Sequence, residues 1–261
     1  MNKSIIFKSF ICATILATVV PATNFTVSNI QSIAKAESES GEVQPKREVV
    51  KNSLHSPYNF VTKIKGPNFS ATGFVSGKST VVTNKHVLNS ILKEGTLKTD
   101  IILAKNDENE GSKKDLGTFK IKDYTVAPDN IDVVVLEIAP NNAGKYIGDV
   151  SNPAKIKNVN HLNQDWIDNN KDKKFSVIGY PGDRDSNKMW LSEGKLLFFI
   201  GRDDPLKFHG DMPGAPGSSG SPVLNDKNEV VGIVYSGWEA GKGVIGYMFR
   251  ENLYEFLESN T

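Results

Sequence analysis

Cysteine is almost missing from this chain: Cys12 is the only one among 261 residues, and it falls within the first forty. A disulfide framework and a four-cysteine zinc site are both excluded. Histidine is scarce too, with His55, His86, His161 and His209 as the whole set. His161 and His209 lack the close His/acid spacing of a zinc motif, and no acidic calcium loop occurs, so neither a metal nor a cofactor is expected. Charge of one sign never accumulates: 31 Lys+Arg stand against 30 Asp+Glu, and no like-charge block exceeds pairs such as Lys113-Lys114 or Lys173-Lys174. A nucleic-acid groove is not expected on such a surface.

Long apolar runs are also lacking. The one near the amino terminus extends from Phe10 to Ala22 and is then interrupted by Thr23, Asn24, Thr26, Ser28 and Asn29. It stops short of the roughly 20 apolar residues a spanning helix needs. With Lys3 and Lys8 ahead of it and Ala34-Lys35-Ala36 behind it, the segment 1–36 reads as a secretory signal, with the mature chain starting at Glu37. Cys12 sits inside the apolar run, too early for lipid attachment. Loss of Lys3, Lys8 and Lys35 turns the net charge from +1 to −2 and leaves no thiol. The expected product is secreted and extracellular, with no membrane attachment after cleavage. Its nucleophile, if it has one, is a hydroxyl, a carboxylate or metal-bound water.

Residues 37–57 carry charge and two prolines with little periodicity and read as an arm or propeptide, Lys46-Arg47 being a possible processing point. Beyond them, short β-rich runs recur between turn signals at 59–65, 71–75, 80–83, 100–104, 118–121 and 131–138. They resume at 175–180, 189–200, 222–224, 229–235 and 244–249 after a polar stretch at 163–174. This is the signature of sandwiches or barrels rather than of a parallel sheet with crossover helices. Two strand-rich parts, 58–145 and 172–261, are expected around a linker at 146–171. Only the carboxyl end reads as helix, with Leu253, Phe256 and Leu257 on one face.

Three features carry chemistry together where each alone is weak. Gly217-Ser218-Ser219-Gly220-Ser221-Pro222 is a Gly/Ser loop that leads into a strand; alone it is a connector. His86 ends the apolar run Val81-Val82-Thr83-Asn84-Lys85, and alone it is a packed or surface residue. Asp132 heads the apolar run Val133-Val134-Val135-Leu136, where a carboxylate is costly unless hydrogen-bonded, whereas Asp129 in the Pro128-Asp129-Asn130 turn reads as solvated. Together they fit Ser219 as nucleophile, His86 as general base and then acid, and Asp132 as the group that holds the imidazole. No histidine follows His209, so an α/β-hydrolase order is excluded. The order His, Asp, Ser agrees with a double β-barrel.

From about Tyr58 to the end the chain resembles the secreted staphylococcal trypsin-like serine proteases, a family that includes glutamyl endopeptidase, the exfoliative toxins and the serine-protease-like (Spl) group. The resemblance rests on Thr72-Gly73-Phe74-Val75, Thr83-Asn84-Lys85-His86-Val87, Asp132-Val133-Val134-Val135, Gly179-Tyr180-Pro181-Gly182-Asp183, Met189-Trp190 with Gly194-Lys195, and the loop 217–222. Asn228-Glu229-Val230-Val231-Gly232-Ile233 follows in the same order. It implies an all-β, chymotrypsin-like fold of two six-stranded antiparallel barrels with a C-terminal helix. It also implies a triad of His86, Asp132 and Ser219, an oxyanion hole of the Gly217 and Ser219 amides, and a role as a virulence factor.

In members that cut after glutamate, a threonine five residues before the nucleophile and a histidine fifteen after it hold the substrate carboxylate. Here those positions are Gly214 and Val234. Pro216 and the edge Val234-Tyr235-Ser236-Gly237 resemble the Spl group instead, so an uncharged residue is expected on the acyl side of the cleaved bond (P1). The expected partner is a peptide or protein substrate, a host protein among the possibilities, and the expected state is a monomer. A toxin-like or binding module of the same fold, with weak or highly restricted proteolysis, is the alternative.

Overall fold

The computed structural model describes residues 45–200, 207–238 and 241–261. The expectations placed on residues 1–36, on Glu37 and on Cys12 lie outside them.

Among the described residues, fifteen strands form two antiparallel sheets. The first contains β2 (Val61–Lys65), β3 (Ser70–Val75), β4 (Thr80–Thr83), β5 (Asp100–Leu103), β6 (Gly117–Phe119), β7 (Ile121–Val126) and β8 (Val134–Ile138), in the order β6-β5-β2-β3-β4-β8-β7. Its two edges are one stretch of chain, because only Lys120 separates β6 from β7. A single strand bent at Lys120 thus pairs with β5 on one side and with β8 on the other, closing a six-stranded barrel.

The second sheet follows the same device. It contains β1 (Lys46–Val49), β9 (Phe175–Gly179), β10 (Trp190–Gly194), β11 (Leu196–Phe199), β12 (Lys207–Gly210), β13 (Pro222–Leu224), β14 (Val230–Trp238) and β15 (Gly243–Met248). A bend at Lys195 divides β10, paired with β9, from β11, paired with β12. Six strands again close on themselves, and β1 is added outside β10 in the order β1-β10-β9-β13-β14-β15-β12-β11. The expected pair of six-stranded barrels is therefore present.

Part of the segment expected to be a loose arm is a strand. Lys46 lies opposite Glu193 and Arg47 opposite Ser192, and the pairing ends at Val49 opposite Trp190. The low apolar content of Lys46–Val49 hid this strand, since its pairing rests on backbone and ionic contacts. Lys46-Arg47 is accordingly part of a sheet.

Alternation explains the barrels. Ile64, Ala71, Val81, Ile101, Leu103 and Leu136 share the inner face of the first, and Val177, Phe208, Val223, Val231, Val234 and Met248 point into the second; all are essentially buried. Three helices among the described residues lie outside them: α1 (Lys85–Glu94), α2 (Gln164–Asn169) and α3 (Glu251–Asn260). The third was legible from Leu253 and Leu257, which are buried. The first was not. Its apolar face is only Val87, Leu88 and Ile91, too short a pattern to separate from the flanking strand. The polar stretch 163–174 supplies α2, capped where the Asn163 side chain accepts the Trp166 amide at 2.8 Å.

The barrels meet at Thr72 of β3, which is fully buried. Its amide donates to the Ser219 carbonyl at 2.9 Å, its hydroxyl donates to the Gly217 carbonyl at 2.9 Å, and that hydroxyl accepts the Tyr180 amide at 3.1 Å. Gly220, at φ +83°, passes so close to the Thr72 carbonyl that a Cβ would collide with it. Replacing Thr72 by Val is expected to leave the Gly217 carbonyl and the Tyr180 amide unpaired at roughly 1–3 kcal/mol each. The denaturant midpoint should fall for Thr72→Val and be largely retained for Thr72→Ser; equal midpoints would contradict this role.

Candidate active site

His86 is the second residue of α1, and Asp132 lies two residues ahead of β8. Two contacts bring them together. The His86 amide donates to Asp132 Oδ1 at 2.8 Å, and His86 Nδ1 lies 2.6 Å from Asp132 Oδ2. The carboxylate therefore fixes both the backbone and the ring of the histidine. Its own backbone is tethered, since the Asn84 side-chain amide donates to the Asp132 carbonyl at 2.8 Å. The chain reaches Asp132 through a turn in which Asp129 and Asn130 both take positive φ, +57° and +56°, as short polar residues tolerate. Asp129 is exposed, in keeping with its place in a polar turn.

The carboxylate is 23% exposed and the imidazole 47%, so the pair sits at the mouth of a cleft and not in the core. With Nδ1 turned to Asp132, Nε2 is left to face the cleft. Tyr235 packs nearby, its ring 4.8 Å from that of Tyr247. Burial raises the Tyr235 phenol above its ordinary range, and the charge of Asp132 raises it further, so the phenol stays protonated.

Ser219 lies in the loop anchored by Thr72. Its hydroxyl is 3.5 Å from the Tyr235 carbonyl and makes no hydrogen bond to His86, although both residues line one cavity of about 570 Å³. The Gly217 and Ser219 amides donate to no group among the described residues. The Gly217 amide is oriented by its own peptide: the Pro216 carbonyl accepts the Gly182 amide at 2.6 Å, and the N–H of a trans peptide points the opposite way. A hydroxyl, an imidazole backed by a carboxylate and two unsatisfied amides can together carry out acyl transfer.

Most of the residues expected to form a substrate pocket line this cavity. Gly214, Pro216, Tyr235, Ser236 and Gly237 line it. Val234 does not. It is fully buried in the core of the second barrel, because alternation along β14 turns it inward while its neighbour Tyr235 faces the cleft. The sequence pattern did not reveal Asp183, Ala215, Ser218, Trp238, Gly241 and Val244 as lining residues. Asp183 stood inside one of the family-like motifs, but nothing in a linear pattern turns a loop acid toward a distant serine. Val244 closes the space behind Gly214, where a Cβ would run into its side chain.

The remaining histidines are elsewhere. His209 in β12 stacks on Phe198 with ring centres 4.5 Å apart and lies 5.6 Å from the Trp238 ring. Burial lowers its pKa. His161 lies edge-on to Trp166 on another face, beside a second cavity.

A model of the trypsin-like peptidase domain matches residues 71–233. A glutamyl endopeptidase of Staphylococcus aureus (strain MRSA252) is 30% identical over 212 residues, which cover 80% of this chain and 54% of that protein. The chain thus spans about half the length of this curated relative. Among solved structures, a Glu endopeptidase in complex with MPD matches with TM-score 0.64 and 21% identity over 82% of this chain and 95% of that one. Protease Anisep from Arthrobacter nicotinovorans matches with TM-score 0.62 and 14% identity over 82% of this chain and 99% of that one. These two likenesses are of fold. The match over residues 71–233, more than half of the chain and inclusive of His86, Asp132 and Ser219, shows that the chain belongs to the trypsin-like peptidase domain family.

Proposed function

We propose that this protein is a secreted serine endopeptidase that acts through Ser219, His86 and Asp132. The observation that carries the reading is the double contact of Asp132 with His86, 2.8 Å to the amide and 2.6 Å to Nδ1, at the edge of the cavity that holds Ser219. In this reading His86 Nε2 takes the Ser219 proton as the hydroxyl attacks the substrate carbonyl, and Asp132 stabilises the imidazolium so formed. The tetrahedral oxyanion rests on the Gly217 and Ser219 amides. His86 then returns the proton to the leaving amine, and water hydrolyses the acyl-enzyme by the same steps. Secretion is supported by the signal-like segment 1–36, and the substrate is a peptide or protein, which can be a host protein.

The reading of specificity follows from the wall chemistry. No Lys or Arg lines the cavity among the described residues, and its single carboxylate, on Asp183, is paired with Arg47. A glutamate side chain entering it would give up water without charged donors in exchange. An uncharged P1 side chain suits Gly214, Val244 and Trp238 better, and the sequence resemblance of Pro216 and the Val234-Tyr235-Ser236-Gly237 edge to the Spl group supports the same reading.

The alternative is a binding or toxin-like module with weak or highly restricted proteolysis, and one observation favours it: the Ser219 hydroxyl turns to the Tyr235 carbonyl rather than to His86. Active-site labelling separates the two. A fluorophosphonate is expected to modify Ser219 and no other serine, and Ser219→Ala or His86→Ala should cut turnover by roughly 10³ or more with thermal stability nearly unchanged. Asp132→Asn should be similarly damaging, because it favours the wrong imidazole tautomer. Absence of labelling would favour the module, and labelling of Ser218 would displace the assignment.

Comparing kcat/KM on peptides that differ only at P1 tests specificity. Neutral residues are expected to exceed glutamate by at least ~10-fold, about 1.4 kcal/mol of transition-state binding. Installing Gly214→Thr with Val234→His should leave that gap in place, because the core-facing position 234 directs a new side chain away from the cavity and a threonine at 214 would run into Val244. Wild-type preference for glutamate would overturn the reading.

A further inference from the structure

Asp183 is a carboxylate in the cavity wall that the proposed chemistry does not use, and its partner comes from near the start of the described residues. Arg47 Nη1 lies 2.9 and 2.8 Å from the two Asp183 oxygens, and Arg47 Nε donates to Ser192 Oγ at 3.2 Å. The Arg47 side chain is 6% exposed, whereas Asp183 is 46% exposed. A guanidinium this enclosed would become an uncompensated charge without its carboxylate, which sets the pair apart from ordinary surface ion pairs. Arg184 also approaches Asp183, but at 4.0 Å and from an exposed position.

Both partners are held by backbone. The register of β1 on β10 fixes Arg47 opposite Ser192, and the Val50 amide extends the pairing to the Met189 carbonyl at 2.9 Å. One residue before Asp183, the Gly182 amide grips the Pro216 carbonyl at 2.6 Å. The fit there is tight: a Cβ on Gly182 would lie 2.9 Å from the Pro216 carbonyl, and one on Gly217, at φ +97°, would lie 2.5 Å from the Tyr180 carbonyl. A shift of the 180–183 segment cannot leave the Pro216–Gly217 peptide where it is.

We propose that Arg47 is a positioning residue. Its ion pair with Asp183 clamps the 180–183 segment, and through the Gly182 amide it sets the orientation of the peptide whose Gly217 N–H serves the oxyanion hole. The proposal rests on the reading of Gly217 and Ser219 given under Proposed function. It also gives the amino-terminal strand a role in the site, since a chain trimmed past Arg47 keeps both barrels and the three acyl-transfer residues but loses the clamp.

The test compares wild type, Arg47→Met, Arg47→Lys and Asp183→Asn in protein expressed from the full chain. For Arg47→Met, kcat should fall at least tenfold with KM within about twofold. Affinity for a peptide aldehyde, whose hemiacetal oxygen occupies the oxyanion hole, should weaken by a similar factor. Arg47→Lys should recover part of kcat because it keeps the charge, and Asp183→Asn should resemble Arg47→Met. Hydrogen exchange, which needs no catalysis, should quicken in segments 180–184 and 214–218 and stay unchanged in 61–75. An unchanged kcat, a rise in KM alone, or faster exchange throughout the second barrel would overturn the clamp. So would a gain of turnover on Lys or Arg substrates, which would make Arg47 a mask for the Asp183 charge. If wild type shows no Ser219-dependent turnover, the serine-peptidase reading fails, and the exchange pattern alone decides whether the clamp exists.

Discussion

Thr72 is the point on which the site depends. A residue of the first barrel donates from its amide to the Ser219 carbonyl and from its hydroxyl to the Gly217 carbonyl, and the same hydroxyl accepts the Tyr180 amide of the second barrel. Since the loop 217–221 contains little apolar surface, burial cannot hold it in one conformation. Hydrogen bonds from a rigid strand do so instead. The Thr83 hydroxyl in turn donates to the Thr72 carbonyl at 2.8 Å, so the strand that leads into His86 braces the strand that grips the serine loop. The relative placement of His86 and Ser219 is thus a property of the contact between barrels and not of either barrel alone.

Around that contact, the second barrel is arranged to leave one peptide with a free amide. The Gly182 amide and the Thr72 hydroxyl take the carbonyls on either side of the Gly217 nitrogen, those of Pro216 and Gly217. Glycine stands at 217 and 220 because both positions have positive φ and carbonyl oxygens where a Cβ would sit. Preorganisation of this kind is what electrostatic stabilisation of a developing oxyanion requires, because donors fixed in advance need no reorganisation. β1, laid against β10 from outside the barrel, adds a buried guanidinium to the same wall through Asp183.

The cavity wall beside β14 has a different origin. Where β14 passes the cleft, alternation presents Tyr235 to the cavity and commits Val234 to the core. A position count along the chain matched Val234 to the place of a substrate-binding histidine, yet the strand turns it away from the open space. Val244 of the neighbouring strand fills the space that a side chain at 214 would need. A side chain placed at 234 would thus be directed into the core, and one placed at 214 would meet Val244.

Much of this was legible in the linear pattern. Period-two alternation and frequent turn residues indicated barrels, and the order of His86, Asp132 and Ser219 excluded the competing hydrolase topology, because both are local or ordinal properties of a chain. The strand Lys46–Val49 and the helix Lys85–Glu94 were not legible. The first has too little apolar content and the second too short an apolar face, so partners distant in sequence decide their conformation. Asp183 illustrates the general limit: as a loop acid it carries no sign of its position, and only folding sets it between Arg47 and the cavity. Residue type and order were enough to define the groups available for chemistry and the fold able to gather them. Distances, exposure and the direction of each amide were decided by the packing of one barrel against the other, since these depend on contacts between residues more than a hundred positions apart.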